Sequence, residues 1–379
     1  MDFALSEEQQ RIREAIAKLC GRFPDEYWLK RDREGGFPAD FHQALARDGW
    51  LGVAMPEEFG GAGLGIAEAA VMMQAIAESG AGFSGASAVH MNIFGLNPVV
   101  VFGTQAQKAR MLPPLIRGEQ RACFAVTEPN TGLNTKKIKT KAEKRGDRYL
   151  VSGQKVWIST AQVAEKVLLL AVTHAGLTLF YTDLDRRHVE VREIDKMGRH
   201  AVDSNQLFFD ALPVPEEDRI GEEGKGFEYI LHGMNPERIL IAAELVGLGR
   251  CAVNRAAAYA KERIVFDRPI GQNQAIQHPL AANWMALEAA NLMAFKAAWL
   301  YDSGKPCGAE ANAAKYLAGE ACFDACEQAV MTHGGFGYAR EYHVERYLRE
   351  SFVGRIAPVS RELILCFIAE RVLGLPKSY

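Results

Sequence analysis

Apolar residues in the first 120 positions recur with the period of an amphipathic helix. Ser6 followed by Gln9 is typical of a capping box, and Ile12, Ile16 and Leu19 then line one face. Breaks that contain Gly and Pro separate further helical patterns. These patterns lie near residues 38–48, 66–79, 86–102 and 105–117. The pattern predicts a helical domain over residues 1–120.

The pattern changes near Arg121 to short runs rich in Val, Ile, Phe, Tyr, Trp and Thr. Lys144–Asp147 and Ser152–Gly153 are typical of hairpin turns. Strands that do not alternate with helices favour an antiparallel barrel or sandwich over residues 121–225, not a doubly wound fold. The predicted strands are 122–127, 148–160, 166–173, 177–183, 189–194 and 205–210.

The helical period returns after Gly226 and continues to the end of the sequence. Long, Ala-rich segments with apolar stripes predict a four-helix bundle over residues 226–379. The predicted helices lie near 238–263, 275–301, 309–331 and 360–373. The fold class that follows is α+β and mainly α.

Composition narrows the class of protein. The 379 residues are 48% apolar and 24% charged, with a net charge of -3. These values are ordinary for a soluble protein and indicate no nucleic-acid partner. Apolar runs are too short to predict a membrane span, and the acidic N-terminal segment lacks the apolar region of a secretory signal. Seven cysteines without a CxxC pair favour reduced thiols and a cytoplasmic protein.

Several motifs are weak when taken alone. The nine histidines form no HxxxH or HExxH pattern, so no metal site is predicted. GGAGLG at 60–65 does not follow a strand, which disfavours a dinucleotide loop, and GFSGA at 82–86 lacks the last Gly of a nucleophile elbow. The basic run over 136–145 is more typical of a solvated face than of a contact to CoA phosphate.

Two motifs have both a structural and a functional interpretation. Asn235 suits a helix N-cap and Pro236 the first helical position, which would put Glu237 in the first turn near the positive end of the helix dipole. From the local sequence alone, the ordinary preference of these residues for a helix start is the favoured explanation. His333–Tyr338 contains three glycines, which suit either an interhelix turn or the close approach of backbone to a ligand.

Five ordered motifs decide between these interpretations. AVTEPNTGLN at 125–134 resembles the first signature of the acyl-CoA dehydrogenase family, and GQKVWIST at 153–160 resembles its second. Segments 236–249, 259–277 and 332–351 resemble further blocks of the family in the same order. The resemblance covers essentially the whole chain. It implies a helical domain, a β-barrel domain and a four-helix domain, assembled as a homodimer or homotetramer.

The resemblance also implies one FAD for each subunit. The residues implied to surround the flavin ring are Phe124, Val126, Thr127, Trp157, Ile158 and Ser159. Arg263, Phe266 and Gln274 are implied to reach the phosphates, adenine and ribose of a neighbouring subunit's FAD, and Gly334 and Gly335 to let backbone approach it. The implied reaction is α,β-dehydrogenation of an acyl-CoA, with an electron-transferring flavoprotein as acceptor.

The choice of catalytic base rests on the same resemblance. Many members place a Glu where this sequence has Pro358, and proline cannot accept a proton. Other members carry the base just before the Arg of the first long helix of the bundle, which is Glu237 beside Arg238 here. Glu237 is therefore the expected base. Leu133, Asn235 and Arg238 are the expected substrate contacts.

Departures from the family pattern keep other functions open. Leu133 and Asn134 replace a usual Ser and Asp, Asp267 replaces a Gly, and Met331 replaces a frequent Gln. One alternative is other redox chemistry on the same fold, as in a monooxygenase or an enoyl-CoA reductase. Another is a non-catalytic protein that retains FAD and binds a macromolecule.

Overall fold

A computed structural model describes residues 3–378, apart from the side chain of Phe94, so Met1 and Tyr379, the ends of the predicted outer domains, lie outside it.

The predicted capping box is confirmed, because Ser6 Oγ accepts from the Gln9 N–H at 3.1 Å and Gln9 Oε1 accepts from the Ser6 N–H at 3.1 Å. The N-terminal helices are α1 Glu7–Cys20, α2 Asp25–Glu34, α3 Ala39–Arg47, α4 Ile66–Ile76, α5 Gly82–His90, α6 Asn97–Phe102 and α7 Gln105–Ile116.

The long apolar stretch of this region is not one regular helix. Gly80 has a φ of 98° and Gly82 a φ of 62°, which only glycine adopts readily, and short π-helical segments lie at Ala77–Ala81 and Met91–Gly95. Among the described residues, Ile66–Phe102 alone is long and apolar enough to cross a membrane by length and composition, and 65% of its most apolar window is buried inside the protein. Its packing against α1 and α8 accounts for that composition.

The strand-rich region forms a mixed, open sheet. Its hydrogen-bonded order is β6-β7-β3-β2-β4-β5-β8, and β1 pairs with β4. The predicted barrel is not found, because no pairing among the described residues joins β6 to β8, and β1 and β2 each run parallel to β4. The strands are β1 Ala122–Ala125, β2 Lys141–Arg145, β3 Arg148–Ser159, β4 Lys166–Thr173, β5 Gly176–Asp183, β6 Val189–Glu193, β7 Ser204–Pro215 and β8 Arg219–Ile220.

One of the two predicted hairpin turns is wrong. The turn after Arg145 does join β2 to β3. Ser152 and Gly153 instead lie inside β3, where the pairing with β7 shifts by one residue. A Cβ on Gly153 would stand 2.6 Å from Thr140 Cα, and the φ of Gly153 is 151°. The glycine therefore serves close packing within the sheet and not a reversal of the chain.

The C-terminal region contains the predicted bundle. The helices α8, α9 and α10 pack against one another, and α11 and α13 pack on α10. The elements are α8 Gly226–Glu262, the hairpin β9 Ile264–Val265 and β10 Arg268–Pro269, α9 Gln274–Asp302, α10 Gly308–His333, α11 Val344–Ser351, α12 Val353–Ile356 and α13 Arg361–Arg371.

The predicted helix start at Asn235 is wrong. The helix α8 begins at Gly226 and continues through Pro236, so Glu237 lies in its interior and not in its first turn. Proline removes one helical N–H donor, and packing of the long apolar helix outweighs that cost. The helix N-terminus therefore does not contribute to the environment of Glu237.

A charged cluster joins all three regions. The Asp32 carboxylate of α2 accepts two hydrogen bonds from Arg349 of α11, at 2.6 and 3.1 Å, and lies 3.3 Å from Nδ1 of His200, which follows β6. Burial acts to raise the pKa of Asp32, but hydrogen bonds from His200 and Arg349 hold it well below its usual range. The hydrogen bond to Asp32 raises the pKa of His200 to about 9, against the opposing effect of burial.

We predict that Asp32→Asn destabilises the protein, by at most about 3–5 kcal/mol, because it leaves partly buried cations without their carboxylate. Since the pKa of folded His200 lies above its ordinary value of 6.5, its stabilising effect is complete below pH 6.5 and is lost as the pH rises through about 9. The difference in thermal midpoint between wild type and variant should therefore shrink over that range.

Asp48→Asn is the matched control, because Asp48 forms an exposed ion pair with Arg22 at 3.6 Å. Its effect should be about 0–1 kcal/mol. A difference between wild type and Asp32→Asn that stays constant from pH 6.5 to 9 would contradict the role of His200.

Candidate active site

A cleft opens where the three regions meet. Helix α5, strands β1 and β3, helix α8 and the segment around α12 all contribute to its walls. The lining is mostly apolar and aromatic, with a few polar groups, as is usual for a small-molecule site. The residues that line it are Ser87, His90, Met91, Phe124, Trp157, Ser159, Thr160, Arg199, Glu237, Ile241, Val353, Ala357 and Pro358.

The indole of Trp157 forms the most exposed apolar wall of the cleft. The register between β3 and β7 shifts between Lys155 and Ile158, which is a β-bulge. Trp157 has a φ of 62° within this bulge and is 60% exposed. Bulges redirect side chains, and strained residues that persist near clefts are often functional. The bulge turns the indole out of the sheet and into the cleft.

Glu237 is 3% exposed and is the one carboxylate among the described residues that line the cleft. Its Oε1 lies 3.5 Å from His90 Nε2, and its Oε2 has no hydrogen-bond partner in the described part of the chain. The other ring nitrogen of His90 lies 2.5 Å from Oε1 of Glu244. A buried carboxylate oxygen without a donor is costly, and it is suited to accept a proton from a ligand.

Arg199 supplies the cation nearest to the β3 wall. Its guanidinium donates to Ser159 Oγ at 2.9 Å and to Ser87 Oγ at 3.2 Å. Burial lowers the pKa of Arg199, but arginine remains charged at neutral pH. Because the Ser159 oxygen accepts from Arg199, its own hydroxyl hydrogen is available to a ligand in the cleft.

A second cleft lies at the junction of α8, the β9–β10 hairpin and the end of α10 and shares no lining residue with the first. Arg263, Gly334 and Gly335 line it, with Phe336 against Arg263 at 5.6 Å from guanidinium carbon to ring centre. A Cβ on Gly335 would contact nothing of this chain within 4 Å. The chain itself therefore does not require glycine at 335, and the open backbone leaves room for a ligand.

Comparison with known proteins shows the family of the chain. Three family models match: the acyl-CoA dehydrogenase N-terminal domain over residues 6–119, the middle domain over 123–212 and the C-terminal domain over 224–373. The chain is 37% identical to acyl-CoA dehydrogenase fadE12 of Mycobacterium bovis, over 100% of this chain and 99% of that protein. The chain belongs to the acyl-CoA dehydrogenase family.

Solved structures agree with this assignment. The fold is similar to that of butyryl-CoA dehydrogenase from Megasphaera elsdenii, with a TM-score of 0.94 and 29% identity over 98% of this chain and 100% of that chain. It is also similar to an FAD complex of PigA, with a TM-score of 0.94 and 25% identity over 99% of this chain and 100% of that chain. The protein is an oxidoreductase, and its cofactor is FAD.

The chemistry of the two linings is suited to the two ends of FAD. Trp157 and Phe124 present aromatic surface suited to a planar flavin, and Ser159 presents a hydroxyl. In the second cleft Arg263 offers the fork of donors that phosphate prefers. That the second cleft binds a neighbouring subunit's cofactor stays a prediction.

The structure does not bring every predicted cofactor residue to a cleft. The side chains of Val126 and Ile158 pack in apolar cores, so only their backbones could face a flavin. Thr127 is half-buried and accepts the Val156 N–H through its carbonyl at 3.0 Å. Phe266, 93% exposed, and Gln274 lie beside the second cleft without lining it. Their roles remain predictions.

The predicted substrate contacts also lie outside the cleft. Leu133 is 62% exposed on the loop after β1. Arg238 donates to Asn235 Oδ1 at 3.3 Å and to the Met234 carbonyl at 3.3 Å, so these residues contact one another. Burial lowers the pKa of Arg238. Their roles as substrate contacts remain predictions.

Three residues at or beside the first cleft, His90, Arg199 and Glu244, were not predicted from the sequence. His90 was a single histidine in an apolar helical pattern, and Arg199 lay in a segment without periodicity. Glu244 did carry a signal, because residues seven apart lie on the same face of a helix, and it follows Glu237 by that interval.

A buried ion pair supports the β1 side of the cleft. Lys155 is fully buried and donates to the Val126 carbonyl at 2.9 Å and to Glu128 Oε1 at 3.1 Å. Glu128 also accepts from the backbone N–H groups of Lys139 and Thr140. Burial lowers the pKa of Lys155 to about 8, against the opposing effect of Glu128. The pair holds the backbone that follows Phe124.

We predict that Lys155→Met lowers both thermal stability and FAD retention. Loss of Lys155 leaves a buried carboxylate without its cation and the Val126 carbonyl without its side-chain donor, which costs about 3–5 kcal/mol. Gel filtration followed by the flavin-to-protein absorbance ratio measures retention. Lys166→Met, at an exposed ion pair on β4, is the control and should retain FAD as wild type does. Equal retention in both variants would contradict this role of Lys155.

Proposed function

We propose that the protein removes the α-proton of an acyl-CoA thioester with Glu237 while the β-hydride leaves to the bound FAD, giving the 2-enoyl-CoA. The observation that carries the proposal is the placement of Glu237. It is the one carboxylate among the described lining residues, it is buried, and one of its oxygens lacks a donor. FAD supplies the hydride acceptor.

The atoms balance without another reactant. The α C–H bond breaks and its proton forms an O–H bond with Glu237, while the β C–H bond breaks and its hydrogen leaves with two electrons. The electrons of the α C–H bond form the new double bond. Because the α C–H is a weak acid, a carboxylate can remove the proton only when it is ionised, close and shielded from water.

The surroundings of Glu237 support the last of these conditions, shielding from water. Ile241, one turn further along α8, lines the cleft beside it, and Phe124 and Trp157 form the opposite strand wall. An acyl chain between these surfaces would exclude water from the carboxylate. Exclusion of water strengthens electrostatic interactions inside the site.

The position of Pro358 supports Glu237 over the other location of the base in this family. Pro358 lines the same cleft as Glu237, in the segment after α12. It has no proton-accepting group and no N–H to donate. Among the described lining residues no second carboxylate competes for the role.

The proposal includes a homodimer or homotetramer in the cytoplasm and an electron-transferring flavoprotein that reoxidises the flavin. Exposed aromatic residues support assembly, because isolated subunits rarely leave large aromatic groups in water. Phe266 is 93% exposed, Tyr338 89%, Trp284 55% and Trp299 56%. The acyl-CoA is bound mainly through the cleft beside Glu237.

We predict that Glu237→Gln binds FAD but does not transfer electrons from an acyl-CoA, because an amide cannot accept the α-proton. The measurement is anaerobic bleaching of the flavin in a stopped-flow instrument, with short, medium, long and branched acyl-CoAs. Wild type should bleach with at least one of them. Glu237→Gln should bleach at least about a thousandfold more slowly, the upper part of the range for loss of a general base.

Glu228→Gln is the matched control, because Glu228 is exposed on the same helix. It should bleach at the wild-type rate. Rapid and complete bleaching of Glu237→Gln would remove Glu237 from the role of base. Bleaching of wild type by NADH or an aldehyde, but by no acyl-CoA, would overturn the proposed reaction itself.

We also predict that Arg263→Ala weakens FAD binding, because the guanidinium lines the second cleft and would pair with the pyrophosphate. Loss of a charge-assisted contact of this kind costs about 1.5–3 kcal/mol, or roughly 10–150-fold in Kd. The measurement is fluorescence titration of the apoprotein with FAD. Lys261→Ala, at an exposed site two residues earlier, should bind FAD as wild type does.

A further inference from the structure

Two carboxylates from one helix hold a single histidine between them. His90, the last residue of α5, has Nδ1 at 2.5 Å from Glu244 Oε1 and Nε2 at 3.5 Å from Glu237 Oε1. The three side chains are 11%, 0% and 4% exposed, respectively. Glu237 and Glu244 reach the same imidazole because their spacing places both on one face of α8.

We propose that His90, held by Glu244, is a positioning residue that keeps Glu237 ionised and fixes its orientation toward the substrate. The inference rests on the proposed role of Glu237 as base. In this arrangement His90 keeps both of its ring protons throughout the reaction and does not relay a proton. Only the α-proton moves, and it moves from the substrate to Glu237.

The physical need for such a residue follows from burial. A carboxylate removed from water favours its neutral form, which cannot act as a base. The helix N-terminus cannot supply compensation, because Glu237 lies in the interior of α8. Arg199 is the other cation that lines the cleft, and its guanidinium donates to serine hydroxyls. His90 is the cation within 4 Å of Glu237, while Arg238 and Lys315 act on its charge from farther away.

The geometry favours the imidazolium form. A neutral imidazole has one N–H, so it could donate to one carboxylate but would turn a lone pair toward the other. Burial acts to lower the pKa of His90, but the charges of Glu244 and Glu237 and their hydrogen bonds raise it to about 10. With two protons on the ring, one N–H faces each carboxylate at neutral pH.

Other charged groups near α5 are already engaged. Arg346 and Glu350 of α11 pair with each other at 3.2 Å, and Glu350 accepts from the Phe83 N–H at the opposite end of α5. The charged groups that face His90 are thus Glu237 and Glu244 of α8, with Arg199 in the same cleft. Glu244 balances the imidazolium once Glu237 has taken a proton and become neutral.

The first experiment measures the pH dependence of kcat/KM for the FAD-loaded enzyme. In His90→Gln the amide retains size but lacks charge, so ionisation of Glu237 should require a higher pH. The acidic limb of the profile should move to higher pH by about 1–3 units, the usual effect of an opposite charge at this distance. An unmoved limb in a folded, FAD-loaded His90→Gln enzyme would overturn the proposal, even if kcat were lower.

The matched control is His42→Gln. His42 is also a buried histidine, but it lies in α3 outside the cleft, and burial lowers its pKa to about 4. This variant tests the effect of losing any buried imidazole on the fold. It should change thermal stability without moving the acidic limb. An equal movement of the limb in His42→Gln would assign the effect to the fold and overturn the proposal.

The second experiment needs neither turnover nor a folded His90 variant. Nitrogen-15 NMR of histidine-labelled wild-type holoenzyme reports the protons on each ring nitrogen. The His90 signals should be those of a doubly protonated ring at pH 7, and Glu244→Gln should lower the pH at which the ring loses a proton. A single ring proton at pH 7 would overturn the proposal. Rapid bleaching by Glu237→Gln would instead count against the proposed base, so the two failures are distinguishable.

Discussion

In the mechanism that we propose, the chemistry of this protein depends on one electrostatic constraint: a carboxylate must remain charged at a site from which most water is excluded. Glu237 is 3% exposed. Because it lies inside a long helix, the partial positive charge of the helix N-terminus does not stabilise it. We propose that His90, a histidine from a different region of the chain, stabilises this charge. The placement of α5 against α8 is therefore a requirement of the active site as well as of the hydrophobic core.

The same constraint explains why three regions meet at one cleft. A flat wall for a flavin comes from the strands, through the bulge that turns Trp157 outward. The carboxylate comes from the bundle, and the cation that accompanies it comes from the N-terminal helices. The cluster of Asp32, His200 and Arg349 ties these regions together away from the chemistry. Small relative movements of the regions would change the distance between His90 and Glu237.

Local patterns in the sequence predicted most of the elements. The capping box at Ser6 and the six strands that were expected after Arg121 have local causes: hydrogen bonds within four residues, and runs of β-branched and aromatic side chains. The family resemblance added FAD and the fold. Predictions failed where distant contacts outweighed local preference, as at Pro236 inside α8 and at Gly153 beside Thr140.

The environment of the site could not be predicted in the same way. No local rule connects His90 with Glu244, because 154 residues separate them and only the folded chain brings them together. The parallel pairing of β1 with β4 and the burial of Ile158 likewise depend on the whole sheet. Glu237 itself was found by resemblance, although the local explanation that accompanied it, a helix start, was wrong.

The most direct test of the central claim separates proton removal from hydride loss. An acyl-CoA analogue with sulfur in place of the β-carbon can lose an α-proton but has no β-hydride to give. In deuterated water, NMR should show wild type exchanging the α-hydrogens of this analogue for deuterium, and Glu237→Gln should not. Equal exchange by both proteins, or tight binding by wild type without exchange, would contradict the assignment of Glu237 as the base.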